Sequence, residues 1–327
     1  IGGAIEETKK LAEKLDSPVC SGYQHNDSFP GSHPLAVGPL GYNGSKAAME
    51  LISKADVVLA LGTRLNPFST LPGYGIDYWP KNANIIQVDM NPDRIGLTKK
   101  VTVGIAGDAK QVAKQILEKL SSSAGNTGRE ERKNLIHQTK SAWLQTLTSL
   151  DHEEDDPGTV WNKEARERDS DRMSPRQAWR AIQSAMPEDV IMSSDIGNNC
   201  AIGNAYPTFE KPRKYLAPGL FGPCGYGFPS ILGAKIGCPD TPVIGFAGDG
   251  AFGISMNEMS SCAREEWPAI TMVIFRNYQW GAEKRNSILW FDDNFVGTEL
   301  DPELSYAKVA NACGLKGVTV KTMEETT

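Results

Sequence analysis

Short apolar strands alternate with amphipathic helices in two stretches of this 327-residue chain. Strands buried on both faces and separated by helices are typical of βαβ units around a parallel sheet. In residues 1–120 the pattern predicts helices over 4–15, 44–55 and 108–120, and strands over 56–63 and 83–92. This part of the chain is therefore expected to be an α/β domain.

The same alternation returns at Met173 and continues to the end of the chain. Ser174 is a favourable N-cap and Pro175 suits the first helical position, so a helix is expected to begin there. Further elements are predicted as strands over 189–197, 241–248 and 269–277 and helices over 230–237 and 255–265. The predicted fold class is α/β, with two doubly wound parallel-sheet domains.

A polar stretch separates the two patterns. Residues 121–172 contain a small polar segment, a predicted helix over 135–150 and the acidic run "DHEEDD" at 151–156. This composition is typical of a linker that covers the surface between domains. The acidic run is interpreted as a solvated face rather than a metal site, because metal capture needs ligands in a fixed geometry.

The overall composition excludes several classes of partner. The chain has 34 basic and 40 acidic residues and a net charge of −6, which argues against nucleic acid or an anionic membrane as partner. No apolar run approaches the ~20 residues of a membrane span. The 6 cysteines are scattered without a CxxC pair, which predicts neither a zinc site nor disulfides and favours a cytoplasmic location.

One motif points to chemistry. Gly248, Asp249 and Gly250 follow the apolar run 241–247, and Asn277 ends the next predicted strand. Ligands of parallel sheets bind at the carboxyl ends of the strands, where such residues would meet. A carboxylate, an amide oxygen and a main-chain carbonyl, with water and phosphate oxygens, complete the octahedron of Mg²⁺. The pattern predicts a diphosphate anchored by Mg²⁺; the alternative is two structural turns.

The spacing adds a family resemblance, because 26 residues separate Gly250 from Asn277. This resembles the motif of thiamine-diphosphate-dependent enzymes, in which GDG is followed at a similar distance by an asparagine. Within that family the chain is similar to the sulfoacetaldehyde acetyltransferases and, more loosely, to acetolactate synthases. The similar segments are 23–52, 82–96, 221–237, 248–259, 275–286 and 290–301.

The resemblance implies a three-domain enzyme of which this chain holds two domains. Residues 1–120 match a middle α/β domain truncated at its start, 121–172 a linker, and 173–327 a thiamine-diphosphate and Mg²⁺ domain truncated at its end. The N-terminal pyrimidine-binding domain is absent, and with it the activating glutamate. In this family the cofactor bridges two chains, which implies a homodimer or a homotetramer.

The resemblance also assigns site residues. Asp249 and Asn277 would bind Mg²⁺ through their side chains and Gln279 through its main-chain oxygen. Main-chain N–H groups at the start of the helix after Asp249 would bind the diphosphate. The cofactor contacts implied are Asp195, Gly197, Asn198, Asn199, Gly222, Pro223, Cys224, Gly225, Gly248, Gly250, Ala251 and Phe252.

Cys224 departs from the family pattern, since a bulky apolar residue often supports the bent cofactor at this position. Either a neighbour such as Phe221 or Tyr226 assists, or the bend is held differently. Cys224 as a nucleophile is the alternative, but the sequence offers it no histidine partner, so a structural role is favoured. His25 and His33 lie in a polar loop, and a catalytic role would require that loop to reach a neighbouring active site.

The implied reaction converts sulfoacetaldehyde and phosphate to acetyl phosphate and sulfite, a step of taurine and sulfonate breakdown. No catalytic residue is assignable, but two anionic substrates require local cations, for which Arg276, Lys284 and Arg285 are the candidates. The alternative for these three is a basic surface stretch in which Arg276 pairs with an acidic neighbour.

Other functions remain open at this point. The middle-domain strand ends 61–66 and 88–92 could hold a flavin or nucleotide, although the reaction needs no redox step and a structural role is expected. An acetolactate-synthase-like carboligase acting on pyruvate would share every metal and diphosphate residue. A non-catalytic nucleotide-binding α/β protein would explain the glycine-rich strand ends, but not the position of Asn277.

Overall fold

The computed structural model describes residues 2–122, 124–152, 173–219, 221–264 and 266–326. The chain divides into two compact units, the first comprising 1–148 and 207–213, the second 149–206 and 214–327. The acidic run at 151–156, predicted to be a solvated face, lies outside the residues whose side chains are described.

The first unit contains two small parallel sheets. One pairs β1 with β2, and the other has the order β3-β4-β5. The elements are α1 (Ile5–Leu15), β1 (Val19–Ser21), β2 (Ala36–Pro39), α2 (Lys46–Ile52), β3 (Val57–Leu61), β4 (Asn84–Asp89), β5 (Val103–Ala106), α3 (Ala109–Lys119) and α4 (Arg129–His152).

The helices and strands predicted in residues 1–120 are confirmed to within about three residues, whereas the helix predicted over 135–150 begins earlier, as α4 at Arg129. Helix α2 begins after Ser45, whose hydroxyl oxygen accepts a hydrogen bond from the N–H of Ala48 at 3.2 Å. Its apolar face is buried around Met49, which packs in the core with Tyr78. The strands β1, β2 and β5 were not predicted, because a strand of three or four residues is too short to show a hydrophobic period.

The second unit contains one parallel sheet with the order β7-β6-β8-β9. Its elements are α5 (Pro175–Ala185), β6 (Ile191–Ser194), α6 (Asn198–Gly203), β7 (Tyr215–Leu216), α7 (Gly227–Gly237), β8 (Val243–Gly248), α8 (Asp249–Ser255), α9 (Met259–Cys262), β9 (Thr271–Phe275), α10 (Gly281–Trp290), α11 (Tyr306–Ala312) and α12 (Met323–Thr326).

Helix α5 begins as the sequence predicts. Ser174 forms a capping box with Gln177, because the Ser174 hydroxyl accepts from the Gln177 N–H and the Gln177 side chain accepts from the Ser174 N–H. The helix carries Trp179 into the core, where its ring packs against Phe246 of β8 and Phe275 of β9. The aromatic contacts hold α5 against the central strand β8 and the edge strand β9.

The predicted helix over 255–265 is wrong in its start. Helix α8 begins six residues earlier, at Asp249, and ends before a 3₁₀ turn at Met256–Glu258, after which α9 is short. An acidic residue in the first turn interacts favourably with the unpaired N–H groups there, so the helix begins directly at the end of β8. None of the described helices is long and apolar enough to cross a membrane.

Candidate cofactor and metal site

Three neighbouring strands of the second unit end side by side. Strands β6, β8 and β9 are parallel, with Ser194 opposite Phe246 and Gly248 opposite Phe275. Parallel strands present their carboxyl ends at one edge of the sheet. Asp195, Asp249 and Asn277, which follow these strands, therefore lie at the same edge.

Asp249 is a buried acidic group of this edge, with only 2% of its surface exposed. Its Oδ2 accepts a hydrogen bond from the N–H of Tyr278 at 2.7 Å, and its Oδ1 accepts one from the N–H of Gly250 at 3.0 Å. Burial raises the pKa of Asp249 above its ordinary value, while the N–H donors and the charge of Arg276 lower it. A bound cation would further favour the ionised carboxylate.

The side-chain amide of Asn277 lies against two oxygen atoms, Oδ1 of Asp249 and the main-chain oxygen of Gln279. With its nitrogen toward them, the amide donates to the first at 3.2 Å and to the second at 2.9 Å. With the amide turned the other way, its oxygen would join these two as ligands of a cation that replaces the two hydrogen bonds. Because carboxylate, amide and carbonyl oxygens are the hard ligands that Mg²⁺ prefers, these three residues fit such an ion.

The first turn of α8 lies beside these oxygens. The N–H groups of Gly250 and Ala251 belong to the positions of a helix that lack an intrahelical acceptor, whereas Phe252 lies four residues after the N-cap Gly248, whose main-chain oxygen accepts the first intrahelical hydrogen bond. One of them is already engaged, because the N–H of Gly250 donates to Asp249. Gly250 also has a packing role, since a Cβ at this position would lie 2.8 Å from the Trp280 ring. Ala251 is therefore the more suitable diphosphate donor of the three.

Asp195 holds the glycine-rich segment after Phe221. Its Oδ1 accepts from the N–H groups of Ile196 at 2.8 Å and Gly225 at 3.1 Å, and its Oδ2 accepts from Gly227 at 2.6 Å. Burial raises the pKa of the Asp195 carboxyl, and the three N–H donors lower it. The structure thus brings the predicted segments 195–199 and 222–225 together. The Asp195 carboxylate is bonded to main-chain N–H groups of the protein.

The first predicted cofactor loop leads into α6. Gly197 has φ 124° and ψ −168°, a conformation that essentially only glycine adopts. The indole N–H of Trp179 donates to the main-chain oxygen of Asn199 at 3.1 Å. The side-chain nitrogen of Asn199 lies 2.8 Å from where a Gly248 Cβ would be, and that of Asn198 lies 3.2 Å from a Gly281 Cβ position. Both amides are therefore close to the metal residues.

Cys224 is exposed and lies between Gly222 and α7. Partial burial, together with the charges of Asp195 and Glu283, raises the pKa of its thiol. A thiol that stays protonated at neutral pH is a weak nucleophile, which favours the structural interpretation. Of the two neighbours suggested as cofactor supports, Phe221 is 91% exposed, whereas Tyr226 is half-buried.

The candidate anion-binding cations have partners in the protein. The guanidinium of Arg276 lies 4.4 Å from the Tyr278 ring centroid and donates to the main-chain oxygen of Pro302 at 2.9 Å. Lys284 pairs with Glu299 at 2.6 Å. Arg285 is half-buried in α10. Binding of a substrate anion by Arg276 or Lys284 would exchange one of these interactions for the anion.

The candidate residues of the first unit have structural partners. His33 Nδ1 accepts from the N–H of Leu35 at 3.2 Å, which leaves its Nε2 to donate to Glu13, also at 3.2 Å. His25 is exposed and precedes a 3₁₀ turn.

The two strand ends considered for a flavin or nucleotide are joined by one buried side chain. Gln87 of β4 donates to the main-chain oxygens of Thr63 at 3.0 Å and Arg94 at 3.3 Å, and accepts from the Gly96 N–H at 2.9 Å. This network gives the residues 61–66 a structural partner within the unit.

Three contributors to the site were missed by the sequence analysis. Tyr278 supplies an N–H to Asp249 from a left-handed backbone with φ 59°. Trp280 packs against Gly250, and Tyr306 donates its hydroxyl to the main-chain oxygen of Asp249 at 2.7 Å. Proximity to Asn277 could have drawn attention to the first two, whereas the sequence gives no signal for Tyr306, 57 residues from its acceptor.

Comparison with protein families finds two matches along the chain. Residues 1–116 match the central domain of thiamine pyrophosphate enzymes. Residues 195–327 match the C-terminal TPP binding domain of the same enzymes. The second match contains Asp195, Asp249 and Asn277, the three residues that the sheet brings to one edge.

Individual relatives are similar over nearly the whole chain. A probable sulfoacetaldehyde acetyltransferase of Rhizobium meliloti is 80% identical over 98% of this chain and 54% of its own length. A sulfoacetaldehyde acetyltransferase of Roseovarius nubinhibens is 74% identical over 100% and 54%. A probable acetolactate synthase large subunit of Methanococcus aeolicus is 28% identical over 99% and 53%. The chain spans about half the length of the curated relatives it matches.

Proposed function

Because this chain belongs to the thiamine-diphosphate-dependent enzyme family, we propose that the full-length protein converts sulfoacetaldehyde and phosphate to acetyl phosphate and sulfite. Support for this substrate comes from relatives 80% and 74% identical that carry the corresponding name. The acetolactate synthase relatives are more distant, at 28% identity. We also propose that the enzyme is cytoplasmic and acts in taurine and sulfonate breakdown.

The observation that carries the cofactor assignment is the proximity of the Asn277 side-chain amide to Oδ1 of Asp249 and to the main-chain oxygen of Gln279. In this proposal the three residues bind Mg²⁺, which in turn binds the diphosphate of the cofactor. The N–H group of Ala251, in the first turn of α8, would donate to the same diphosphate. When bound, thiamine diphosphate supplies a nucleophilic carbon and an electron sink at the substrate carbonyl.

The chain's own residues then have three tasks. The Asp249 carboxylate would balance part of the charge of the cation. The N–H groups of Gly250 and Tyr278 hold this carboxylate in a fixed orientation. Asp195 orients the segment that contains Cys224 through Gly225 and Gly227. The sulfonate and phosphate groups of the substrates require positive charge, which Arg276, Lys284 and Arg285 are proposed to supply.

The domain roles are part of the same proposal. Residues 1–120 are assigned to a middle domain with a structural role, 121–172 to a linker and 173–327 to the cofactor-binding domain. The bonds of Gln87 to both strand-end loops support the structural role of the first domain. A homodimer or homotetramer is proposed, because in this family the cofactor lies between two chains.

The purified full-length protein tests this proposal. Sulfite release from sulfoacetaldehyde should require phosphate, thiamine diphosphate and Mg²⁺ together, and acetyl phosphate should form in equal amount. Carbon dioxide release from pyruvate without sulfite release from sulfoacetaldehyde would instead identify an acetolactate-type carboligase. Calorimetry that detects no thiamine diphosphate binding with or without Mg²⁺ would favour a non-catalytic nucleotide-binding protein.

A further inference from the structure

Tyr306 contacts the main chain of Asp249, in the turn Gly248–Gly250 of the proposed metal site. It is the first residue of α11, and its hydroxyl donates to the main-chain oxygen of Asp249 at 2.7 Å. The residue is 8% exposed, so this hydrogen bond lies in the interior. A buried bond of this length between elements distant in sequence fixes one position of the turn.

The surrounding residues hold the Tyr306 ring in a single place. The ring packs edge-on against Phe252 of α8, with centroids 5.2 Å apart and an interplanar angle of 89°. A Cβ at Gly253 would lie 3.2 Å from the hydroxyl oxygen, so the chain passes close to it there. Ser305 caps α11 by accepting from the N–H of Lys308 at 3.3 Å. The Tyr306 hydroxyl is therefore oriented by α11, whose N-terminus is capped by Ser305.

The bond acts on Asp249, the residue whose carboxylate would balance the charge of the metal ion. Asp249 is held at three points: its Oδ1 by Gly250, its Oδ2 by Tyr278 and its main-chain oxygen by Tyr306. The first two bonds orient the carboxylate, and the third fixes the peptide from which both the carboxylate and the first turn of α8 extend. Groups that orient a metal ligand contribute to metal affinity without touching the ion.

We infer that Tyr306 is a positioning residue for the cation and diphosphate site, acting through the main chain of Asp249. This inference rests on the proposed function, because it assigns Tyr306 to the same cofactor site. The hydroxyl reaches a main-chain atom rather than the substrate. Its contribution is therefore expected in the binding of Mg²⁺ and thiamine diphosphate, and not in the turnover of the loaded enzyme.

The test compares Tyr306→Phe with Tyr78→Phe in the full-length protein. Each substitution removes one buried hydroxyl that donates to a main-chain oxygen and keeps the aromatic ring; Tyr78 donates to Ser69, in the first unit. Thiamine diphosphate and Mg²⁺ are titrated separately, each at a saturating level of the other, by calorimetry. The rise in melting temperature that both ligands together produce is measured on the same proteins.

Y306F should raise both half-saturating concentrations by about two- to tenfold, the range of one net hydrogen bond, and reduce the ligand-induced rise in melting temperature. Y78F should change neither, and both variants should turn over at the wild-type rate when saturated. Unchanged ligand affinities in Y306F, or equal losses in the two variants, would overturn the positioning role alone. Wild-type protein that binds no thiamine diphosphate would instead overturn the proposed function.

Discussion

At the scale of single residues, the charge of the proposed metal ligands depends on one carboxylate. Asp249 is buried and bonded to two N–H groups, and the other two proposed ligands, from Asn277 and Gln279, are neutral groups. A free divalent cation is strongly hydrated, so the ligands of a bound cation must replace that hydration. In the proposed site Asn277 and Gln279 would supply dipoles for this purpose, whereas Asp249 would supply a full negative charge.

This difference predicts unequal losses on substitution. Asp249→Ala should weaken the Mg²⁺-dependent binding of thiamine diphosphate by about 100-fold or more, because even indirect support of a metal ligand contributes about 10–100-fold. Asn277→Ala should weaken binding less, since water can replace a neutral ligand. Isothermal titration calorimetry of the full-length protein measures both effects.

Asp240→Ala is the matched control for Asp249→Ala, because it removes an exposed carboxylate of the same unit. It should leave cofactor affinity unchanged. Wild-type affinity in Asp249→Ala would contradict the metal assignment, and a larger loss in Asn277→Ala than in Asp249→Ala would contradict the roles assigned to the two side chains.

At the scale of elements, the position of the cofactor loop depends on how α5 packs. Trp179 of α5 packs against the strands β8 and β9 and donates to Asn199 of α6. The end of α6 approaches the same indole so closely that a Cβ at Gly203 would lie 2.2 Å from a ring atom. The absence of a side chain at Gly203 therefore permits the contact between the two helices.

Gly203→Ala is predicted to lower the free energy of unfolding by about 1–3 kcal/mol, because the rigid indole or the helix must move to admit the methyl group. Gly233→Ala is the matched control, since no atom lies within 4 Å of its Cβ position in α7. It should stabilise the protein by about 0.5–1 kcal/mol through helix propensity. Urea unfolding followed by circular dichroism measures both; equal effects would show that the Trp179 contact does not constrain Gly203.

At the scale of the whole molecule, the second unit exposes large apolar side chains. Trp290 is 75% and Val296 80% exposed, and Phe221 beside the cofactor segment is more exposed still. Large exposed apolar side chains of this kind occur at interaction sites. The exposed residues support the proposal that another copy of the chain covers part of this unit.

The full-length protein is accordingly expected to sediment as a dimer or a tetramer at micromolar concentration. Its Mg²⁺-dependent activity should fall on dilution as the subunits separate, because association is governed by mass action. Sedimentation velocity and activity measured over the same dilution series test this expectation. A monomer that turns over at the full rate would show that one chain suffices.

The sequence by itself determined the α/β class and the residues that meet at the sheet edge. Both conclusions depend on local information: the alternation of strands and helices, and the occurrence of Asp249 and Asn277 at the ends of two successive strands. Parallel pairing of those strands was enough to predict that the two side chains lie at one edge. The residue pattern alone placed the start of this helix too late, at 255, whereas the family resemblance places it directly after Asp249, close to the observed start of α8.

Only the tertiary structure decided how these residues are held. The Tyr306 hydroxyl bonds to Asp249 across 57 residues, and the Asp195 carboxylate bonds to Gly225 and Gly227 across 30 and 32. The Trp179 ring excludes a side chain at Gly203. No hydrophobic period or motif encodes these contacts, because hydrogen bonds and close packing require the final distances between elements, which depend on how all the side chains of the core pack together.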